Sequence, residues 1–198
     1  MLLFALGLAY RSLITDGFHK QQQNEQQMKG LNWWTQNLRD APQLLELPTD
    51  RPRPKVQTFN GAVRMVSLGE ERMQRITALS RAQGITQYMV LMTAFQAVLA
   101  RYSGQDDISV GSPIANRTRF ELEELNGFFA NTLVIRTTFG PNESFKSLLE
   151  RVKDATLGAY AHQDMPFEHL LEKLNITRDL SRNPLFQVMF VLQNNSID

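Results

Sequence analysis

The chain has 198 residues, 42% hydrophobic and 21% charged, with a formal net charge of +1. Such a composition excludes a disordered chain and suits one substantial core or half of a larger domain. The balanced charge offers no electrostatic case for nucleic acid or a membrane surface as main partner, and the absence of cysteine rules out disulfides, thiolate nucleophiles and Cys-ligated metals while suiting the cytoplasm.

Residues 1–9 are apolar but too few to span a bilayer, and they lack the positive lead-in of a signal peptide. A buried strand, or a start codon inside a longer reading frame, are the two readings retained. A glutamine-rich stretch over 19–29 leads into Leu31, Trp33, Trp34 and Leu38, which predicts a helix with an apolar side in its second half, ended by Pro42. From Leu44 to Pro54, Pro48, Pro52 and Pro54 keep the chain extended as a crossing arm. Val56–Val66 reads as a strand with Val63 and Met65 on one face.

Ser67 and Glu70 spell a capping box for a helix with Met73, Ile76 and Leu79 inward, stopped by Gly84. Thr86 caps the next, in which Met89, Met92, Phe95, Ala97, Val98 and Leu99 form a wide apolar side closed by Gly104. Methionines at that spacing are core filler. Asp107–Pro113 is a short strand, followed by a loop with Asn116, Arg117 and Arg119 and a helical turn over Glu121–Glu124.

The stretch Asn126–Arg136 organises the rest: a Gly-aromatic turn, an Asn-Thr step, then a run of aliphatic residues that reads as a strand buried on both faces. Asn131 at its mouth has two readings, one presenting a polar group to a ligand beyond the sheet, the other satisfying nearby backbone. Pro141–Ser144 opens a long amphipathic helix with Phe145, Leu148, Leu149, Val152 and Ala155 inward. His162–Glu168 interrupts it, and Pro166 starts a second helix through Leu174. Arg178–Pro184 is a polar turn, either a basic docking patch or a self-paired turn, and Leu185–Leu192 is a closing strand. Strands alternating with helices make the fold class α/β and layered.

The three histidines, His19, His162 and His169, restrict the chemistry. His162, Asp164 and Ser181 can be written as a Ser-His-Asp set, but no Gly-x-Ser-x-Gly elbow accompanies them, and a histidine between two helices more often caps or packs than catalyses. His162 and His169 are seven apart without a third ligand, so no metal site is expected. No glycine-rich phosphate loop is present.

Four blocks fall in one order: Leu-Pro-Thr-Asp-Arg-Pro-Arg-Pro at 47–54, Gly-Phe-Phe-Ala-Asn-Thr at 127–132, His-Gln-Asp-Met-Pro-Phe-Glu at 162–168 and Arg-Asp-Leu-Ser-Arg-Asn-Pro-Leu at 178–185. On these the chain resembles the C-terminal half of a condensation domain of nonribosomal peptide synthetases, over residues 30–198, with 1–29 a divergent or degenerate segment. The resemblance implies a chloramphenicol-acetyltransferase-like fold of two α/β lobes with a channel between them. It implies amide formation between thioesters carried on phosphopantetheine arms by peptidyl carrier protein domains, with no cofactor bound directly. The partners implied are those carriers and the N-terminal condensation lobe or neighbouring synthetase modules.

The family's His-His-x-x-x-Asp-Gly motif is missing, since no His-His pair occurs. Arg11–Phe18, with Asp16-Gly17, reads as a degenerate remnant of it; alternatively Tyr10 belongs to a later tyrosine block of the family. Either reading leaves no catalytic residue here and a truncated or split lobe that is inactive alone. The resemblance makes Asn131, Gly127, Ser112 and Arg117 channel-facing candidates. It makes His162, Asp164, Pro166, Phe167, Glu168, Arg178, Asp179, Arg182, Asn183 and Pro184 structural motif residues.

Overall fold

A computed structural model of the chain describes residues 25–115, 130–176 and 179–193. The expectations for 1–24, for Asn116, Arg117, Arg119 and Gly127, for Glu121–Glu124 and for Arg178 lie outside the described residues.

Helix α1 covers 25–37 and buries Trp34, with Leu38 just past its end. The chain then runs extended, as three prolines require, and two glutamines hold it to the body. Leu45 N–H donates to Gln187 Oε1 at 2.6 Å and Glu46 N–H to Gln105 Oε1 at 2.8 Å, while Gln105 Nε2 donates to Leu44 O at 3.0 Å. These backbone groups at the start of the arm thereby gain partners from the body of the fold.

Val56–Val66 is not a strand among the described residues. It is exposed throughout, Phe59 breaks it with a φ of 58°, and Val63 and Met65 are 84% and 92% exposed. Helix α2 (Glu70–Gln83) has Gly69 as its N-cap residue, with a φ of 74° and no side chain to cap the helix. Glu70 is therefore the first helical residue, not the third. The expected capping box does not close, and Ser67 Oγ accepts the Gly69 N–H at 3.3 Å instead. Gly84 ends the helix in the left-handed conformation that only glycine adopts without strain.

Helix α3 (Gln87–Ser103) is capped by Thr86, which accepts the Met89 N–H. It buries Met89, Val90, Met92 and Leu99, whereas Val98, expected inward, is exposed because it lies on the side turned from the sheet. Strand β1 (Asp107–Ile114) pairs antiparallel with β2 (Asn131–Thr138) in the register Val110 to Ile135 and Ile114 to Asn131. Leu133, Val134 and Ile135 are consecutive and all buried. Since neighbours on a strand point to opposite faces, both faces of this sheet are covered.

Helix α4 (Phe145–Ala161), capped by Ser144 on the Ser147 N–H, buries Leu148, Leu149 and Val152, with Phe145 half exposed and not inward. Helices α3 and α4 pack on each other and on β1 and β2 respectively. Helix α5 (Phe167–Lys173) has Pro166 as its N-cap and not as its first helical residue, and it rests against β2.

Of Leu185–Leu192, only one parallel bridge to β1 forms. Gly111 N–H donates to Val188 O at 3.0 Å and Phe190 N–H to Gly111 O at 2.9 Å. Phe186 lies over Gly111 so closely that a Cβ there would meet its ring at 2.5 Å. The glycine is what lets this segment reach β1.

Candidate functional site

The site is the end of the sheet where β1 finishes and β2 begins. Asn131 is the first residue of β2 and is buried. Its Nδ2 donates to Gln163 O and Met165 O, both at 2.8 Å. Its Oδ1 accepts the Thr132 N–H at 2.9 Å and the Phe167 N–H at 3.0 Å. An asparagine side chain has two donors and two acceptor lone pairs, and all four are used here. The residue clamps the 162–168 turn onto β2 and keeps no hydrogen-bonding capacity for a ligand.

That turn is braced from the other side. The His162 ring lies 4.9 Å from Trp33, and its carbonyl accepts Trp34 Nε1–H at 2.9 Å. Its amide closes α4 by donating to Ala159 O. Asp164, Pro166 and Glu168 are exposed, whereas Met165 and Phe167 are buried, so the turn alternates anchors with solvent-facing residues. No hydrogen bond joins His162, Asp164 and Ser181 among the described residues, nor do three His, Asp or Glu side chains gather there as a metal site.

The 179–184 turn is self-paired in its described part. Arg182 meets Asp179 at 3.1 Å, and the Ser181 N–H donates to Asp179 Oδ1 at 2.8 Å. The Ser181 hydrogen bond holds the Asp179 carboxyl below its usual range. The turn is stitched to the arm by Arg53, which donates to Ser181 O, and by Gln57 N–H on Leu180 O. Asn183 O accepts Gln187 Nε2 at 2.9 Å, and Pro184 is half-buried beside it.

A groove of about 520 Å³ is lined by the N-terminal end of α3, the C-terminal end of α4 and Leu192. Gln87, Tyr88 and Met89 form one side, Leu157 and Tyr160 the other, and no charged side chain lines it among the described residues. Tyr88 OH donates to Ser112 Oγ at 2.8 Å, with Ser112 buried on β1. Burial pushes the Tyr88 phenol up to about 12, and the Ser112 hydrogen bond opposes it only in part. Burial also raises Tyr160. Both phenols are thus held in the neutral form, Tyr88 with its O–H given to Ser112, and a groove lined without charge suits a neutral chain better than an anion.

Two residues of the sheet and its helices escape a motif-based reading, one of them, Arg136, at the opposite end of the sheet from Asn131. Arg136 pairs with Asp107 at 2.6 Å and also donates to Asn37 O and Arg39 O at 2.8 and 2.7 Å, tying the end of α1 to the sheet. A lone arginine in an aliphatic strand is the available signal. Tyr88 gives none, because an aromatic at the start of a helix is ordinary.

This two-stranded core flanked by helices is one lobe of a chloramphenicol-acetyltransferase-like α/β fold, the fold expected from the sequence. It superposes on holo-AB3403, a four-domain nonribosomal peptide synthetase, with a TM-score of 0.82 at 24% identity, over 85% of this chain and 13% of that one. The X-domain from teicoplanin biosynthesis gives 0.79 at 26% identity, over 82% and 36%. The first condensation domain of the CDA synthetase gives 0.71 at 22%, over 90% and 45%. The condensation-domain family model matches residues 13–198, and the chain belongs to that family. It is 52% identical over 164 residues to a linear gramicidin synthase and 42% identical over 180 residues to tyrocidine synthase 3, both of Brevibacillus parabrevis. These alignments cover 83% and 91% of this chain but only 3% of either synthase. Among the described residues, no helix is long and apolar enough to cross a membrane.

Proposed function

We propose that residues 30–198 act as the C-terminal lobe of a condensation domain, forming an amide between two carrier-bound thioesters only when an N-terminal lobe completes the channel. In that reaction the acceptor amine attacks the donor's thioester carbonyl, a C–N bond forms, the C–S bond breaks, and the amine's proton leaves as the thiol is released. A group able to take that proton near neutral pH is needed, and imidazole is the usual choice. The observation that carries the reading is the state of the lobe's two histidines: the His162 ring lies against Trp33 and its backbone closes a helix, so it serves packing, and His169 stands exposed on α5.

On this reading Ser112 and Asn131, with Gly127 and Arg117, stand at the channel, and Asn131 acts by position through the turn it clamps. The groove beside Tyr88 fits the neutral part of a phosphopantetheine arm brought by a peptidyl carrier protein, since its described lining is apolar and neutral polar, with the Tyr88 O–H already given to Ser112 and no cation for the phosphate. The chain is assayed with two loaded carrier domains, the product being read by mass spectrometry. Alone it forms no amide; with an N-terminal lobe bearing His-His-x-x-x-Asp-Gly supplied in trans, it does.

A second reading, a docking module without chemistry, is favoured by the likeness to the teicoplanin X-domain, which has been solved in complex with OxyB. Titration with a phosphopantetheinylated carrier domain separates the two. Binding that persists while the completed pair stays inactive supports docking alone.

A further inference from the structure

Strand β1 turns Ser112 towards α3, where its hydroxyl takes the Tyr88 O–H. Side chains alternate along a strand, so Asp107, Ser109 and Gly111 belong to the opposite face. Asp107 meets Arg136 there, and Gly111 lies under Phe186. Ser109, between them, faces the place where the arm and the 185–192 segment come down on the sheet. A cavity of about 10 Å³ lies at that place, lined by Leu44 and Leu45 of the arm, Leu185 and Gln187 of the closing segment, and Asp107 and Ser109 of β1. Ser109 is only 8% exposed, and its hydroxyl has no hydrogen-bond partner among the described residues. Native folds seldom keep a buried hydroxyl unpaired, because nothing then replaces its lost hydration.

The groups around the cavity narrow the ligand. Gln187 Nε2 gives its two hydrogens to Gln43 O and Asn183 O, so it has none for Ser109. Among the described residues, Gln187 Oε1 accepts only the Leu45 N–H and Asp107 Oδ1 only the Arg136 Nε–H, which leaves each a lone pair. One hydroxyl donor and two spare acceptors are complemented by a molecule with a lone pair to offer and two hydrogens to give. The room suffices for one water and for nothing larger. Arg136 already balances the Asp107 charge, so no cation is needed.

We propose that this cavity is a binding site for one buried water, which accepts the Ser109 O–H and donates to Asp107 Oδ1 and Gln187 Oε1. Three hydrogen bonds are usual for a buried water. The molecule joins three stretches far apart in sequence, on the face of the sheet opposite α3 and α4. Gln187 brings the closing segment and, through its bond to the Leu45 N–H, the start of the arm; Ser109 and Asp107 bring β1.

Oxygen-17 relaxation dispersion counts the long-lived buried waters of the full 198-residue chain and of Ser109→Val, whose two methyl groups fill the space and carry no donor. The variant is expected to hold one such water fewer, and equal counts overturn the proposal. Where Ser109→Val does not fold, a crystal structure of the parent decides. An ordered water within hydrogen-bonding distance of Ser109 Oγ and Asp107 supports the site, and clear density without one overturns it. Ser109→Ala keeps the room, removes one of the three partners and lowers the thermal midpoint by about 2–4 °C. A variant as stable as the parent, or more so, overturns the proposal, because a dry site would lose only an unpaired hydroxyl. Density there that gains anomalous signal when sodium is exchanged for thallium(I) marks a cation and overturns it as well.

Discussion

The side-chain oxygen of Asn131 accepts the backbone N–H of Phe167, 36 residues downstream, at 3.0 Å, in the core. That contact starts α5 and places the 162–168 turn on β2. The organising stretch and the turn motif, separate in sequence, are one device.

Asn131→Ala leaves the Phe167 N–H and two backbone carbonyls without their partner. A loss of about 2–4 kcal/mol is expected, as for removing one side of a buried hydrogen-bond cluster. Asn131→Asp, nearly isosteric, is at least as damaging at pH 7, because it puts a carboxylate oxygen against the Gln163 and Met165 carbonyls. Urea unfolding of both variants measures this. Equal stability of Asn131→Asp and the parent would mean the clamp is not formed.

Arg136 and Asp107 are both largely buried and share a two-pronged contact, with Arg136 also holding the end of α1. Arg136→Ala and Asp107→Ala should each cost about 3 kcal/mol, since each strands a charge. The double variant should cost well under the sum, which a double-mutant cycle in urea reads directly. Full additivity would show that the two do not interact.

Gly158 lies under Trp33, and a Cβ there would stand 2.4 Å from the indole. Gly158→Ala must push Trp33 off α4 and so off His162, against which it stacks. A change in tryptophan emission with a loss of about 1–3 kcal/mol is expected, the usual range for overpacking. Gly111→Ala, against the Phe186 ring, should cost as much without changing the emission.

Much of this is legible in the sequence. Helix α3, β1, β2 and α4 can be read with their caps, because Thr86, Gly104 and Ser144 act locally and their neighbours have the right period. The alternation over 56–66 spells a strand but forms no ladder, since a strand depends on a partner that local pattern does not contain. The Ser67 cap fails for a local reason, the positive φ of Gly69, which no motif expresses. The site divides in the same way. Motif residues at 162–168 stand out as words, whereas Tyr88 and Ser112 meet only through the packing of α3 on β1, 24 residues apart.

The Tyr88 phenol gives a pH prediction. Its value is raised from 10.0 to about 12 by burial, so the folded state favours the neutral form. The contribution is whole below pH 10 and is lost as pH rises through about 12. Absorbance titration of the parent minus Tyr88→Phe should show one phenol ionising near the top of that window. A difference curve centred at 10 would place Tyr88 in solvent.

The most direct measurement is amide formation by the 198-residue chain with two loaded, purified carrier domains, run beside the same chain grafted onto the N-terminal lobe of a linear gramicidin synthase condensation domain. No product from the chain alone, and condensed product from the graft that disappears when the second histidine of His-His-x-x-x-Asp-Gly is replaced, is the predicted result. Condensed product from the chain alone would contradict it.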